Sequence, residues 1–320
     1  MKWPKVSIVI VNYNGKSLLD TLLKSVSKLI YKNYEVIVVD NNSSDGSQEF
    51  VRKNYKKAKL VENNKNLGYS GINSAIKFCN GKYVLFLNND MGLDKHSVSQ
   101  LVNTITSGKD IVMAAPRLVN YYNKNFKSGG TWISRAFYNG HIKGNGKGTT
   151  KEIPYMGVGL IRKDFIDMFG YIFDPDYFIY GEDVDLGLRI RLAGKKAVFE
   201  PKSIMYHMHS ATMQKSLKSF SAYLMERNLL TTFFKIFEVK NIALLLPYVL
   251  FARFVAMLRD LLALRIDIFF ARLRAILWIM LNLNPIIKKR NEAQRFRKAD
   301  DKYILKAFSE NYLFKEKFIV

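Results

Sequence analysis

The sequence predicts an α/β protein: a mostly parallel sheet with helices on both faces, extended by an amphipathic helical region at its C-terminal end. Three observations carry this prediction. Short apolar runs alternate with helix-period stretches through the first hundred residues. Those runs are near-continuous, as expected of strands buried on both faces. From Asn241 the chain turns to long oily stretches, with no Pro or Gly between Tyr248 and Asn284. A chain of 320 residues that is 48% apolar is long enough for a substantial core. Neither a disordered tail nor a wholly membrane-buried protein has that balance.

Each element follows from its own residues. "VSIVIVNY" (6–13) reads as the first strand, and Leu18, Leu22, Val26 and Leu29 give the next stretch a helical face. "YEVIVVD" (34–40) is a second strand, with a helix starting near Ser44. "AKLVEN" (58–63) is a weaker third strand; Gly68 to Cys79 reads as helical with Ile72, Ala75 and Ile76 inward; "KYVLFL" (82–87) is the fourth strand. Strict alternation of strand and helix predicts a parallel sheet. Cys79, the sole cysteine, excludes a disulfide framework and reads as a small buried hydrophobe.

In such sheets ligands bind beyond the carboxyl ends of the strands. Those ends carry Asn12 and Asn14, Asp40 and Asn41, Asn63 and Asn64, then Asn88, Asn89 and Asp90. One such end is turn chemistry; four on a common rim form a candidate site. The glycine-rich stretch "NGHIKGNGKGTT" (139–150) is no phosphate loop, because His141 and Gly148 stand where that motif needs Gly and Ser or Thr. It reads as a flap, as does "SGGTW" (128–132). A second acidic group, Glu182, Asp183 and Asp185, opens a helix whose apolar positions are Val184, Leu188 and Leu192. The helix dipole and an i,i+4 pair with Arg189 account for Asp185, but not for two further adjacent acids.

The formal net charge of +23 calls for a polyanionic neighbour, either nucleic acid or an acidic membrane surface. Nucleic acid is set aside, because basic density is high beside the oily C-terminal stretch and no basic groove explains the acids. Arg253, Asp260, Asp267 and Arg274 recur every seven residues and predict one polar stripe on an oily surface. The uncharged windows Asn241–Ala252 and Ala275–Ile287 fall short of the roughly 20 residues that span a bilayer. An interfacial helix follows, with "KKRNEAQRFRK" (288–298) as a basic belt. A hairpin packed on the preceding domain, or a homodimer interface, is the alternative. The apolar run Val6–Val11 is too short for a signal-peptide core, so the expected location is peripheral, on the cytoplasmic side of a membrane.

The ordered series "VSIVIVNYNG", "VVDNNSSDGS", "NKNLGYSGINSAI", "VLFLNNDM", "GVGLIRKDFIDMFGYIFDPDYFIYGEDVDLGLRIRLAGKKAVFEP", "YHMHSAT" and "ERNLL" resembles the inverting family-two glycosyltransferases. It covers roughly residues 5 to 235, and the continuation is similar to rhamnosyltransferase-like members acting on lipid-linked glycans. The resemblance implies a GT-A (Rossmann-like) catalytic domain over 1–235 and a basic, membrane-associating helical region over 236–320. It implies a nucleotide-sugar donor, a lipid-linked glycan acceptor and Mg²⁺ or Mn²⁺. Asp90 matches the metal-binding aspartate, with Asn88 in place of the motif's first aspartate. His207 matches a further metal ligand, and His209 would share its face in an extended segment. Asp40 matches the carboxylate that contacts base or ribose, expected unpaired. Asn66 and Gly68 match a nucleotide-adjacent loop; Asn12 and Asn89 complete the donor rim. Asp183 matches the catalytic base, Glu182 tunes it, and Arg227 is placed to meet a phosphate. A catalytically inactive scaffold is the remaining alternative, disfavoured because the acids are present.

Overall fold

The computed structural model describes residues 3–128, 130–142, 148–208 and 218–309. It opens with β1 (Val6–Asn12), α1 (Lys16–Ser27), β2 (Tyr34–Asp40), α2 (Ser47–Asn54) and β3 (Lys59–Glu62). β1 is buried along its whole length, as its unbroken apolar run requires. α1 buries Leu19, Leu22, Leu23 and Val26. Leu18, expected on that face, is half-buried beside it. The stretch after Gly68 is a 3₁₀ helix, Tyr69–Phe78, rather than an α-helix. Tyr69, Ile72 and Ala75 are its buried apolar side chains, at a spacing of three that matches three residues per turn. Cys79 is buried as expected, and burial pushes its thiol up to about 11.

The chain continues through β4 (Tyr83–Asn88), β5 (Met91–Leu93), α3 (Ser97–Thr106), β6 (Ile111–Asn120), β7 (Phe126–Ser128), β8 (Thr131–Ser134) and β9 (Asn139–His141). β10 (Lys151–Ile153), β11 (Gly159–Arg162), α4 (Lys163–Phe169), α5 (Glu182–Leu192) and β12 (Lys196–His207) follow. The main sheet runs β10-β12-β6-β11-β4-β1-β2-β3. Its β4-β1-β2-β3 side is parallel, as expected. β11 enters antiparallel between β4 and β6. β12 shifts register between Glu200 and Ile204, where Pro201 has no N–H to offer the ladder. Beyond that shift it pairs antiparallel with β5, setting Met91 opposite His207.

The remaining elements are α6 (Lys218–Ile236), α7 (Val239–Leu262), α8 (Ile266–Leu281), α9 (Leu283–Gln294), α10 (Asp301–Leu305) and β13 (Phe308–Ser309), which joins β8 and β9 in a small sheet. Val184, Leu188 and Leu192 of α5 share one hydrophobic cluster with Leu229 and Phe233 of α6, Val249 of α7, Ile279 of α8 and Ile286 of α9. The helix that opens with the acidic group packs on α6 and α10, and α8 and α9 pack in turn on α6.

Here the structure departs from the predicted polar stripe. The oily stretch is a hairpin, α7 and α8, turning at Leu264, which adopts φ +55 at a fully exposed tip. The turn breaks the seven-residue alignment. Arg253 and Asp260 point inward and are buried, whereas Asp267 and Arg274 are exposed. Arg253 Nε lies 3.2 Å from Glu226, and Arg272 bridges Glu226 and Asp260. Apolar side chains face out instead: Phe251, Phe254, Leu258, Leu262, Phe270 and Leu281 are all exposed. By length and composition, Val239–Leu262 is long and apolar enough to cross a bilayer, despite the short uncharged window. Its two inward charges nevertheless tie it to α6 and α8.

The basic belt is also divided. Lys289 binds Asp174 and Asp176, Arg290 donates to the Phe234 and Phe237 carbonyls, and Arg297 pairs with Asp301. Lys288, Arg295 and Lys298 remain exposed. Half of the expected belt therefore docks α9 onto the domain.

Candidate active site

The rim of the parallel half is a connected polar network. Asn12, at the end of β1, donates to Asp40 Oδ1 at 2.9 Å and accepts from Asn89 Nδ2 at 2.8 Å. Asp40, at the end of β2, also accepts from the Ser43 hydroxyl and amide and from Gln48. The expectation of an unpaired carboxylate is therefore corrected. Asp40 is buried and folds the "DNNSSDGSQ" turn over itself, an Asx arrangement that fixes the loop beyond β2. Asn66 Oδ1 accepts from the Gly68 amide at 2.9 Å, and Asn41 donates to the Gly68 carbonyl at 2.7 Å.

Gly68 adopts φ +63, and a Cβ there would stand 1.9 Å from the Phe178 carbonyl oxygen. Only glycine fits. The close approach that the sequence suggested is thus to backbone, since Tyr69 N donates to the same Phe178 carbonyl at 2.8 Å. That contact ties the loop of Asn66 and Gly68 to the segment leading into Gly181 and Glu182.

Asp90 follows β4 and faces the end of β12. Its Oδ2 lies 3.0 Å from His207 Nε2, while its buried Oδ1 has no hydrogen-bond partner. β5–β12 pairing produces this meeting of residues far apart in sequence. No group of three or more His, Cys, Asp or Glu side chains is poised for a metal among the described residues. One carboxylate with an orphaned oxygen and one imidazole nonetheless fit a cation that takes its other oxygens from a diphosphate and water. His209 lies outside the described residues, as does much of the 139–150 flap.

Glu182 and Asp183 open α5 behind Gly181, whose φ of +80 turns the chain into the helix. Glu182 is buried, its Oε2 has no partner, and burial together with Asp183 pushes its carboxyl up to about 8. Burial lifts Asp183 to about 6, held back by the Val184 amide, which donates to its Oδ1 at 2.8 Å. The two adjacent carboxyls titrate as a pair that burial holds above the ordinary carboxylate range, Glu182 further up than Asp183. Tyr69, whose hydroxyl donates to the Gly157 carbonyl, is held well above the usual phenol range by burial and by the charges of Glu182, Asp90 and Asp183. One buried ring thus senses both acidic groups, ninety residues apart in sequence.

Asp185 pairs with Arg189 at 2.7 Å as expected. It also meets Lys235 of α6, a fully buried lysine that reaches Asp174 at 2.8 Å. No sequence signal links Lys235 to either acid. Arg227 is not gathered with the donor rim. It lies on α6, donating to the Asp176 carbonyl at 2.9 Å and to Asn228. Asn228 in turn donates to the Tyr180 carbonyl at 2.6 Å, holding the turn before Gly181. A separate cavity of about 810 Å³ beside β3, the 3₁₀ helix and α4 contains none of these acids.

Residues 7–169 match the glycosyl transferase family 2 model. The chain belongs to glycosyl transferase family 2. Among its relatives is a glycosyltransferase, AglE, of Haloferax volcanii, 28% identical over 64% of this chain and 67% of that protein. Another is the UDP-Glc:alpha-D-GlcNAc-diphosphoundecaprenol beta-1,3-glucosyltransferase WfgD of Escherichia coli, 32% identical over 27% of this chain and 34% of that one. This chain therefore spans about a third of the length of that second relative. The fold is shared with GalNAc-T7, solved with UDP, GalNAc and Mn²⁺, at a TM-score of 0.60 and 19% identity over 72% of this chain and 48% of that one. The expected GT-A fold and enzyme class are borne out. The relative from Escherichia coli carries a glucosyl name, so rhamnosyl specificity gains no support from it.

Proposed function

We propose that this family 2 enzyme transfers a sugar, with inversion, from a nucleotide-sugar to a hydroxyl of a polyprenyl-(di)phosphate-linked glycan at the cytoplasmic surface of a membrane. The observation that carries this reading is a pair of acidic groups with orphaned buried oxygens, Asp90 beside His207 and Glu182 beside Asp183 at the start of α5. The undecaprenol diphosphate in the name of the Escherichia coli relative supports the acceptor class. The outward apolar face of the hairpin supports the membrane.

In this reading Asp183 takes the proton of the acceptor hydroxyl as it attacks the anomeric carbon from the face opposite the leaving group. Protonated Glu182 keeps a second negative charge away from that base. Asn12, Asp40 and Asn89 hold the donor rim in shape, and Gly68 locks the Asn66 loop against the segment that presents Glu182. Asp90 and His207 would hold Mg²⁺ or Mn²⁺, which offsets negative charge on a departing nucleoside diphosphate. The catalytic unit takes in residues 1–235 and the membrane-facing unit 236–320. A homodimer through the hairpin is the competing use of the apolar face.

The test is nucleotide binding. With UDP, dTDP and GDP as probes, affinity should depend on Mn²⁺ or Mg²⁺ and be abolished by EDTA. Asp90→Ala should lose the metal-dependent part while the circular dichroism spectrum stays unchanged. Unchanged metal-dependent affinity in that variant removes Asp90 from the site.

A further inference from the structure

Two arginines share one tyrosine between the acidic site and the apolar hairpin. The Arg227 guanidinium lies 5.7 Å from the Tyr223 ring centre and 5.2 Å from that of Trp278. Arg274 of α8 lies 4.7 Å from the same Tyr223 ring. Such stacking holds a guanidinium in place while leaving its N–H edges free to point outward.

Their charge balance sets them apart. In the same bundle Arg253 and Arg272 are matched by Glu226 and Asp260. Arg227 has only a main-chain carbonyl and an amide oxygen, and Arg274 has only the ring; neither has a carboxylate partner among the described residues. Two guanidinium groups on one aromatic ring, neither with a carboxylate partner among the described residues, are suited to a phosphate or diphosphate, Arg227 through its remaining Nη donors.

Their position is equally specific. On the α6 side, Asn228 next to Arg227 holds the Tyr180 carbonyl, and the Ser221 hydroxyl lies 3.4 Å from the Tyr180 hydroxyl. Tyr180 stands two residues before Glu182. On the α8 side, exposed Phe270 and Leu277 flank Arg274 in sequence and open onto the apolar face. The molecule thus presents base, then paired cations, then apolar surface. A lipid-linked glycan has the same order: terminal sugar hydroxyl, phosphate, lipid.

We propose that Arg227 and Arg274, ordered by Tyr223, form the subsite for the phosphate groups of the lipid-linked acceptor. This rests on the acceptor class proposed above and moves Arg227 from the donor side to the acceptor side. Phosphate on a membrane lipid headgroup has related chemistry, and the test separates the two sources.

Full-length protein is titrated with farnesyl diphosphate, with farnesol and inorganic pyrophosphate as controls. The wild type should bind farnesyl diphosphate more tightly than either control. Arg274→Gln and Arg227→Gln should each weaken that binding about tenfold, as loss of one charge-assisted contact does, without changing affinity for farnesol. Arg274→Lys should recover part of the loss, since charge returns without the fork. Thermal unfolding checks that each variant is folded; Arg274 is exposed, so its variants keep the test sharp even if the Arg227 change disturbs α6. Farnesyl diphosphate affinity unchanged in both Gln variants overturns the proposal. Phosphatidylglycerol vesicles are titrated in parallel, and a loss confined to them also overturns it, assigning the arginines to headgroups. Nucleotide binding by the wild type in the same preparation is read separately. Its absence would sink the glycosyltransferase reading, whereas a normal value beside unaffected farnesyl diphosphate binding would sink only this subsite.

Discussion

The rim around Tyr69 and the α7–α8 hairpin dispose of charge in opposite ways. At the rim, Asp90 and Glu182 keep carboxylate oxygens buried and unpartnered, so these groups stand ready for a ligand. In the hairpin, Arg253, Asp260, Arg272 and Glu226 neutralise one another inside, and the oily side chains face outward. A buried carboxyl oxygen without a partner is costly and marks a working site; paired buried charge fixes a geometry. The difference teaches that the hairpin's surface, not its charged interior, is the part open to a partner.

The sharpest way to break this comparison is to unpair an internal charge. Lys235→Met leaves Asp174 and Asp185 facing each other, with Lys289 and Arg189 as their remaining partners. We expect about 3–5 kcal/mol of lost stability, the range for breaking a buried ion pair. Urea unfolding checks it. A loss under about 1 kcal/mol would mean that the network does not hold α5 and α6 together.

An outward residue should behave oppositely. Phe254→Ser removes exposed apolar surface, so unfolding stability should stay within about 0.5 kcal/mol of wild type. Binding to anionic vesicles should fall by about tenfold, since a Phe buried in an apolar phase contributes about 1.5–3 kcal/mol. Co-sedimentation reads the second effect, and sedimentation velocity the competing dimer. A shift from dimer to monomer with vesicle binding intact would hand the face to a second subunit.

Much of this contrast was legible beforehand, and some was not. The apolar runs of β1, β2 and β4 announced a sheet, and polar residues at their ends announced a rim, because a two-faced strand leaves few alternatives. The order of motifs singles out Asp90, His207 and Asp183, and the structure sets Asp90 beside His207. The hairpin's inversion was hidden: a seven-residue repeat of charge says that Arg253 and Asp260 share a face, not which way that face points. Glu226, the partner of Arg253, lies far upstream, and nothing local marks it. The same holds for Lys289, whose place in a basic run gave no hint of buried Asp174. Asp40 was misjudged for a different reason. Its acceptors are filled by Ser43 and Gln48, three and eight residues on, in a turn that "DNNSSDGSQ" does signal.

The pH dependence of stability concerns Glu182. Its folded carboxyl titrates at about 8, above an ordinary glutamate, so the folded state holds that proton more tightly than the unfolded chain does. Stability therefore falls as pH rises from about 5 to about 8. Glu182→Gln should reduce that slope to the part Asp183 carries, leaving Tm like wild type at pH 4 and higher than wild type by several degrees at pH 8. Parallel curves for the two proteins would mean that Glu182 carries no shifted proton.

The most direct test of the central claim, that the rim beside the hairpin is a glycosyl-transfer site with Asp183 as its base, is turnover by Asp183→Asn. With a productive nucleotide-sugar and a lipid-linked acceptor, nucleoside diphosphate release should fall by about 10²-fold or more while donor binding is kept. Turnover near the wild-type rate would contradict the account.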